Sequence, residues 1–339
     1  MIEDTREIMR ILQSSDVDIR VEEKTGQALK RKGTPIRRLD SDLMVVIGSD
    51  KSLLNSLLQL GDSAVPFLPV SSKGQPDFLF DVTASMFEDV IPDLLEARWT
   101  EDRRARLQVS IAGKSSPPLL NDVAIFARRS ATLIRYSLLL DDEQFWKDGS
   151  DGLIIATPTG STAYSMSVGG PIVLPPAKVM TIIPVNSVNP ARRPLIVDDT
   201  TIIEIRELTS SVAIEAVLDG QLRRKVDSGP VVIERAEADA VFVKLSEERV
   251  AALRGKLHQM TEAFGDLAQD LPPSAKLVLK VLEYQGQLTQ KEIVDETLLP
   301  PRTVRYALSI LISDGLVSKR VSLRDSRQGL YRVANDRSD

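Results

Sequence analysis

The chain has 339 residues, of which 42% are apolar and 27% charged, enough for two or three domains with hydrophobic cores. It contains no cysteine and one histidine, His258, which excludes disulfides, thiolate zinc sites and cysteine nucleophiles and argues against a Ser-His-Asp triad or a multi-histidine metal site; no metal-ligating set is read. The net charge of −5 is uneven: residues 272–339 carry eleven Lys or Arg and eight Asp or Glu, a net of +3, so residues 1–271 carry −8 and a polyanion partner is expected at the C-terminal end.

In chain order, the stretch MIEDTREIMRILQSS is acidic and amphipathic, without the apolar core of a signal peptide, and Ile8, Ile11 and Leu12 mark a helix over 3–13. No run of eighteen apolar residues occurs, so no membrane helix is expected and a cytoplasmic location is. Residues 43–47, LMVVI, suit a strand buried on both faces, followed by Gly48 and a helical stretch over Leu53–Leu60; another helix is expected over 86–97. From about 107 the pattern becomes short runs rich in Val, Ile, Thr and Leu, such as LQVSI, DVAIFA, VMTIIPV and TIIEI. The expectation is an α/β nucleotide-binding domain over 1–110, then a β-rich domain over 111–245.

From about 246 the residues Val250, Leu253, Leu257, Met260, Phe264, Leu267 and Leu271 alternate spacings of 3 and 4. A heptad linker helix over 246–271 is expected, either packed on its own domain or pairing with a second copy; the second reading makes the protein a homodimer or higher homo-oligomer. His258 beside the stripe is read as structural. After Leu271-Pro272-Pro273-Ser274 come helical stretches at about 273–284, 289–297 and 301–313, then VSKRVSL, a polar tip and LYRVA: the order of a winged helix-turn-helix, expected over 272–334. Pro301 suits a first helical turn. Val304, Leu308 and Leu311 form the buried stripe, which turns Arg302, Thr303, Arg305 and Tyr306 outward, and Arg324 and Arg327 stand at the wing tip. Duplex DNA is the expected partner, although winged helices also mediate protein contacts.

The stretch Asp151–Pro171, DGLIIATPTGSTAYSMSVGGP, reads as a strand entering a loop of Pro, Gly and hydroxyl residues and then a helix at about Ala163. Backbone amides at a helix start, with Ser and Thr hydroxyls, suit phosphate or ribose. This stretch resembles the signature of the NAD kinase family. Leu120-Asn121-Asp122-Val123 resembles the family's Asn-Glu/Asp motif, Asp219-Gly220-Gln221 its Asp-Gly-Gln strand end, and Arg192-Arg193-Pro194-Leu195 its Ser/Ala-Arg-Pro stretch. The resemblance covers roughly residues 40–245. It implies an α/β domain followed by a β-rich domain, with the active site between them. It also implies transfer of the terminal phosphoryl group of ATP, with Mg2+, to the adenosine ribose 2′-hydroxyl of NAD, giving NADP.

Carried over residue by residue, the resemblance makes Asp50 the catalytic base. The expected NAD-binding set is Asp50, Lys51, Asn121, Asp122, Asp151, Thr162, Ala163, Tyr164, Ser165, Met166, Ser167 and Gln221. The family's Gly-Gly-Asp-Gly-Thr loop is here Gly48-Ser49-Asp50-Lys51-Ser52, so serine and lysine replace two glycines. The next family loop, Gly-Ile-Asn followed by Gly, is here Pro69-Val70-Ser71-Ser72-Lys73-Gly74, and the first strand before residue 40 is poorly marked. Three readings stay open: a kinase with an appended regulatory domain; a transcription regulator that senses NAD or NADP through a domain of weakened or lost kinase activity; and a kinase of another small molecule.

Overall fold

The computed structural model describes residues 1–15, 17–72, 79–129, 132–227, 229–245, 271–285, 287–297, 299–321 and 329–333. The chain divides into two compact units, Met1–Glu247 and Glu248–Asp339.

The first unit opens with helices α1 (Ile2–Gln13) and α2 (Glu23–Ala28). Among the described residues before Met44 the β pairing is one isolated bridge, Glu22 with Thr34, so helices stand where the resemblance placed a first strand. The apolar run forms β1 (Met44–Gly48), followed by α3 (Asp50–Leu60), β2 (Phe67–Ser71), β3 (Val82–Thr83), α4 (Phe87–Leu95) and β4 (Thr100–Arg104). β1, β2 and β3 run parallel. Leu53, Leu54 and Leu57 of α3 pack on Val46 and Phe67 on one side of this sheet. On the other side Ile8 of α1 and Phe87 and Ile91 of α4 pack on Leu68 and Val70. Burial on both faces is why LMVVI and FLPVS read as continuous rather than alternating runs.

The next strands are β5 (Leu107–Ile111), β6 (Lys114–Ser115), β7 (Asp122–Ala127), β8 (Ile134–Leu140), β9 (Glu143–Ser150) and β10 (Gly152–Ala156). A four-residue helix α5 (Tyr164–Ser167) precedes β11 (Val179–Val185), β12 (Leu195–Asp198), β13 (Ile203–Thr209), β14 (Ile214–Leu218), β15 (Leu222–Val226) and β16 (Val231–Arg235). They make two six-stranded antiparallel sheets, β12-β11-β10-β7-β14-β15 and β6-β5-β16-β13-β8-β9. Their facing residues, among them Val109, Val123, Leu138, Ile155, Ile182, Ile205 and Ile233, form one core. Truncating such a residue to alanine typically costs about 2–5 kcal/mol. β10 is buried on its second face too, where Ile154 meets Ala124, Ile183 and Val168.

The chain then returns as β17 (Ala240–Lys244), which pairs antiparallel with β4 and touches β2 at Phe242–Phe67. Thus the α/β sheet recruits a strand from within the 111–245 span, while β5 already belongs to a β-rich sheet. Hydrophobic spacing cannot reveal such a return.

The second unit contains α6 (Pro273–Gln285), β18 (Leu288–Thr289), α7 (Gln290–Thr297), α8 (Pro301–Ser313), β19 (Val317–Val321) and β20 (Gly329–Val333), with sheet order β18-β20-β19. Two-residue β18 adds a strand that no sequence period could mark. Thr289 and Glu292 cap α7 reciprocally: Glu292 Oε2 accepts the Thr289 amide at 2.7 Å. The heptad segment 246–271 lies outside the described residues except for Leu271, which packs with Ala275, Val278 and Leu311 in this unit's core. His258 lies outside them as well.

Candidate active site

Two loops of the first unit carry the expected chemistry. The first joins β1 to α3. Gly48 has φ +149°, and a Cβ there would stand 2.6 Å from Ser52 Oγ, so the turn takes only glycine. Ser49 N–H donates to Ser52 Oγ at 3.5 Å, the back-bond of a capping box, and Ser52 N–H donates to the Ser49 backbone carbonyl at 2.8 Å in the first turn of the helix. Two amides of this loop are therefore spent on the protein itself. Asp50 heads α3, and its Oδ1 accepts the Leu79 amide at 3.1 Å. Lys51 follows and is exposed.

The second loop follows β10 and is tied to the start of β7. The Thr157 amide donates to Asn121 O at 2.9 Å, Thr157 Oγ1 donates to Leu120 O at 2.6 Å, and the Gly160 amide donates to Thr157 Oγ1 at 3.0 Å. A Cβ on Gly160 would lie 2.0 Å from Asn121 O, so glycine is required by close approach. Ser161 Oγ accepts the Val173 amide at 3.0 Å, and Thr162 Oγ1 donates to Thr159 O at 3.2 Å. Several hydroxyls that suggested a phosphate cradle thus hold the loop in shape. The expected helix at Ala163 is the four-residue α5, preceded by a 3-10 turn over Thr159–Thr162. It is too short for a helix-end anion site, so ribose and base contacts fit this loop better than phosphate.

A carboxylate pair lies under it. Asp219, at the end of β14, accepts the amides of Leu120 and Asn121 at 2.8 Å and of Asp122 at 3.1 Å. Asp219 is 3% exposed and Asp122 4%. Burial, followed by the Asp219 charge, pushes the Asp122 carboxyl up to about 8, against the opposing pull of the Tyr164 amide. Burial raises Asp219 less, to about 6, because its three amide donors and the Arg106 charge favour the ionised form.

Asn121 and Asp122 begin β7, with Asn121 Oδ1 buried and unpartnered among the described residues. Tyr164 is half-exposed and stacks on Phe126 with ring centroids 5.8 Å apart. Ser165 is buried, Met166 and Ala163 are half-buried, and Ser167 is exposed. Gln221 Oε1 accepts Asn55 Nδ2 at 3.1 Å, which links α3 to the β14–β15 turn. Leu120 packs among Leu53, Leu54 and Leu57 of the same helix. Asp151 stands apart: Ala156 at the far end of β10 pairs with Asp122, roughly 17 Å along the strand from Asp151, which accepts Asn186 Nδ2 at 3.0 Å. Asp219 was legible as a motif but not as a member of the site. Asn55 and Arg106 carry no local sequence signal.

In the second unit Arg302, Arg305 and Tyr306 are exposed on the first turns of α8, while Val304, Ala307, Leu308 and Leu311 are buried. Thr303 is half-buried, and Arg324 and Arg327 lie outside the described residues.

The model of the ATP-NAD kinase C-terminal domain matches residues 120–245, and that of the MarR family matches residues 269–328. The NAD kinase of Methanothermobacter thermautotrophicus is 33% identical over 242 residues, covering 71% of this chain and 84% of the relative. That of Chromohalobacter salexigens is 33% identical over 248 residues, covering 70% and 84%. The crystal structure of yeast NADH kinase complexed with NADH superposes with a TM-score of 0.69 at 23% identity, covering 76% of this chain and 83% of that one. The structure of an NAD kinase from Archaeoglobus fulgidus in complex with ATP gives a TM-score of 0.59 at 26% identity, covering 70% and 92%. Sequence identity over most of the archaeal relative's length agrees with the two-part fold and the hydrogen-bonded signature loop: the chain belongs to the NAD kinase family and carries a winged-helix unit C-terminal to its kinase-like part in sequence.

Proposed function

We propose that this protein transfers the terminal phosphoryl group of ATP to the adenosine ribose 2′-hydroxyl of NAD. The observation that carries the proposal is the link through α3: Asp50 heads the helix, and five residues on, about 7 Å along its axis, Asn55 bonds Gln221, two residues from Asp219. One rigid helix thus spaces a base from the loop that would hold the nucleotide. In this reading Asp50, Lys51, Asn121, Asp122, Thr162, Ala163, Tyr164, Ser165, Met166, Ser167 and Gln221 line the NAD site, with Asp151 reached only by an extended ligand. Asp50 takes the proton from the 2′-hydroxyl as the oxygen attacks the γ-phosphorus, and ADP leaves. Exposed Lys51 supplies charge to the donor phosphates. Among the described residues no three His, Cys, Asp or Glu side chains gather to hold a metal. Mg2+ is expected on the ATP phosphates, as is usual for magnesium nucleotides. A coupled assay of NADP formation from NAD, ATP and Mg2+ tests the proposal; absence of NADP with NAD still bound would favour the sensor reading. The self-capped Gly48–Ser52 loop is the feature that favours that second reading, because two of its amides are already satisfied.

The winged-helix unit is proposed to bind duplex DNA through Arg302, Thr303, Arg305 and Tyr306, with Arg324 and Arg327 at the wing. Arg302→Ala or Arg305→Ala should cost about 1–3 kcal/mol where the side chain reads a base, and less where it touches phosphate. Gel shifts at low salt check this; no binding to any duplex would overturn it. Transcriptional regulation, a cytoplasmic location and a homodimer held by residues 246–271 complete the reading. Leu257→Lys with Phe264→Lys should weaken the dimer in sedimentation.

A further inference from the structure

Asp219 sits on a left-handed turn (φ +47°), and its two oxygens accept three consecutive amides from the start of β7. Among the described residues Asp122, the last of the three, has one amide donor, that of Tyr164. Burial acts on both acids, but only Asp219 has several donors and a nearby cation to hold its charge. That cation is Arg106, 1% exposed, whose Nε donates to Ala238 O at 2.8 Å and Nη1 to Gly61 O at 2.6 Å. Arg106 Nη2 is buried and unpartnered among the described residues. The guanidinium is thus pinned by backbone carbonyls rather than neutralised by a direct carboxylate bond, and its charge acts on Asp62, Asp239 and Asp219 together.

The groups around Asp122 can be named element by element. β14 brings Asp219 and α5 brings Tyr164; β10 brings Ala156 and Thr157, which do not titrate; Arg106, ahead of β5, acts on Asp219. Two buried acids with unequal support share one proton near neutrality, and the less supported member keeps it.

We propose that Asp219 is a positioning residue for the acceptor nucleotide: its ionised carboxylate fixes the Leu120–Asp122 backbone and keeps a proton on Asp122, and a ribose diol that binds Asp122 drives that proton into solvent. The proposal rests on the reading of Asn121 and Asp122 as NAD-binding residues. The diol hydroxyls keep their own protons and donate hydrogen bonds to the carboxylate. The one proton that leaves is the carboxyl's, and no bond of the nucleotide forms or breaks.

Titration calorimetry of the full chain with NAD, in buffers of different ionisation enthalpy, returns affinity and proton count separately. With Asp122 at about 8, close to one proton should leave per NAD bound at pH 7. Affinity should rise about fivefold from pH 7 to pH 8 and less than about twofold from pH 8 to pH 9. Asp219→Asn keeps an acceptor oxygen but removes the charge, which leaves burial as the remaining cause of the raised Asp122, so the proton count at pH 7 should fall measurably below that of the wild type. A purely structural role for Asp219 would change affinity and leave the proton count alone. NAD binding whose heat is independent of buffer, with affinity flat from pH 7 to pH 9, overturns the proposal, as does an unchanged proton count in an Asp219→Asn protein that binds. Should that variant fail to fold, the wild-type proton count decides alone. Failure of the wild type to bind NAD in any buffer removes the site reading and this proposal together.

Discussion

The two loops of the kinase-like unit differ in how tightly the chain ties them down. The loop after β10 is stitched to Leu120 and Asn121 by Thr157 and Gly160, and Asp219 accepts the amides of Leu120, Asn121 and Asp122. The Gly48–Ser52 loop is held by the Ser49–Ser52 bonds, by the Leu79 amide on Asp50 Oδ1 and by the Ser72 amide on the Gly48 carbonyl, with Lys51 in solvent. A site that must recognise a sugar needs fixed partners, and the first loop has them. A loop that must receive a phosphoryl donor needs open amides, and the second has closed some of its own. The difference separates the loop proposed to hold the nucleotide, close to the family pattern, from the loop proposed to face the donor, where the sequence departs.

The largest effect that could break this contrast is expected at Gly160. With its Cβ 2.0 Å from Asn121 O, Gly160→Ala must displace backbone on one side or the other, at a cost of roughly 3 kcal/mol or more. Thermal unfolding should show the loss, and NAD affinity should fall with it; an unperturbed variant would mean the two loops are not locked.

Asp122 offers a finer test, because it sets stability against binding. Its folded-state value, about 8, lies above its ordinary 3.8, so folding takes up a proton. That contribution to stability is fully present below the ordinary value and is lost as pH rises through about 8. Unliganded wild type should therefore weaken from pH 4 towards pH 8, by an amount on the order of a few kcal/mol. Asp122→Asn keeps an acceptor for the Tyr164 amide without the charge, so it should flatten that slope, melt several degrees higher at neutral pH and bind NAD less tightly. Melting curves across this range, with and without NAD, check both halves.

The smallest effect is expected on the donor side. Lys51→Ala should lower kcat/KM for ATP about tenfold, the scale of one charge-assisted contact, and change NAD affinity by less than that. A rise in activity would instead mean that Lys51 covers the donor site.

Much of this was legible in residues that lie close in sequence. The LMVVI run, the 151–171 signature and the outward Arg302 and Arg305 on α8 could each be read from period or motif. What escaped depends on distant chain segments meeting: β17 returning to the first sheet beside β4, Asn55 reaching Gln221, and Arg106 pinned between Gly61 and Ala238. The structural work of the signature's hydroxyls is hidden for a related reason. A Ser or Thr reads alike whether it binds a ligand or the protein itself: Ser161 and Thr162 bond within their own loop, and Thr157 bonds Leu120 beside β7. β18 is two residues long, below the reach of any alternation pattern.

The division of labour between the two loops is tested most directly at Asp50, by measuring NAD affinity and NADP formation on the same Asp50→Asn preparation. Removing a general base typically costs about 10²–10⁴ in rate. The account predicts a loss of that size in turnover with NAD affinity within about threefold of wild type. Undiminished turnover, or a loss of NAD binding as large as the loss of rate, would contradict it.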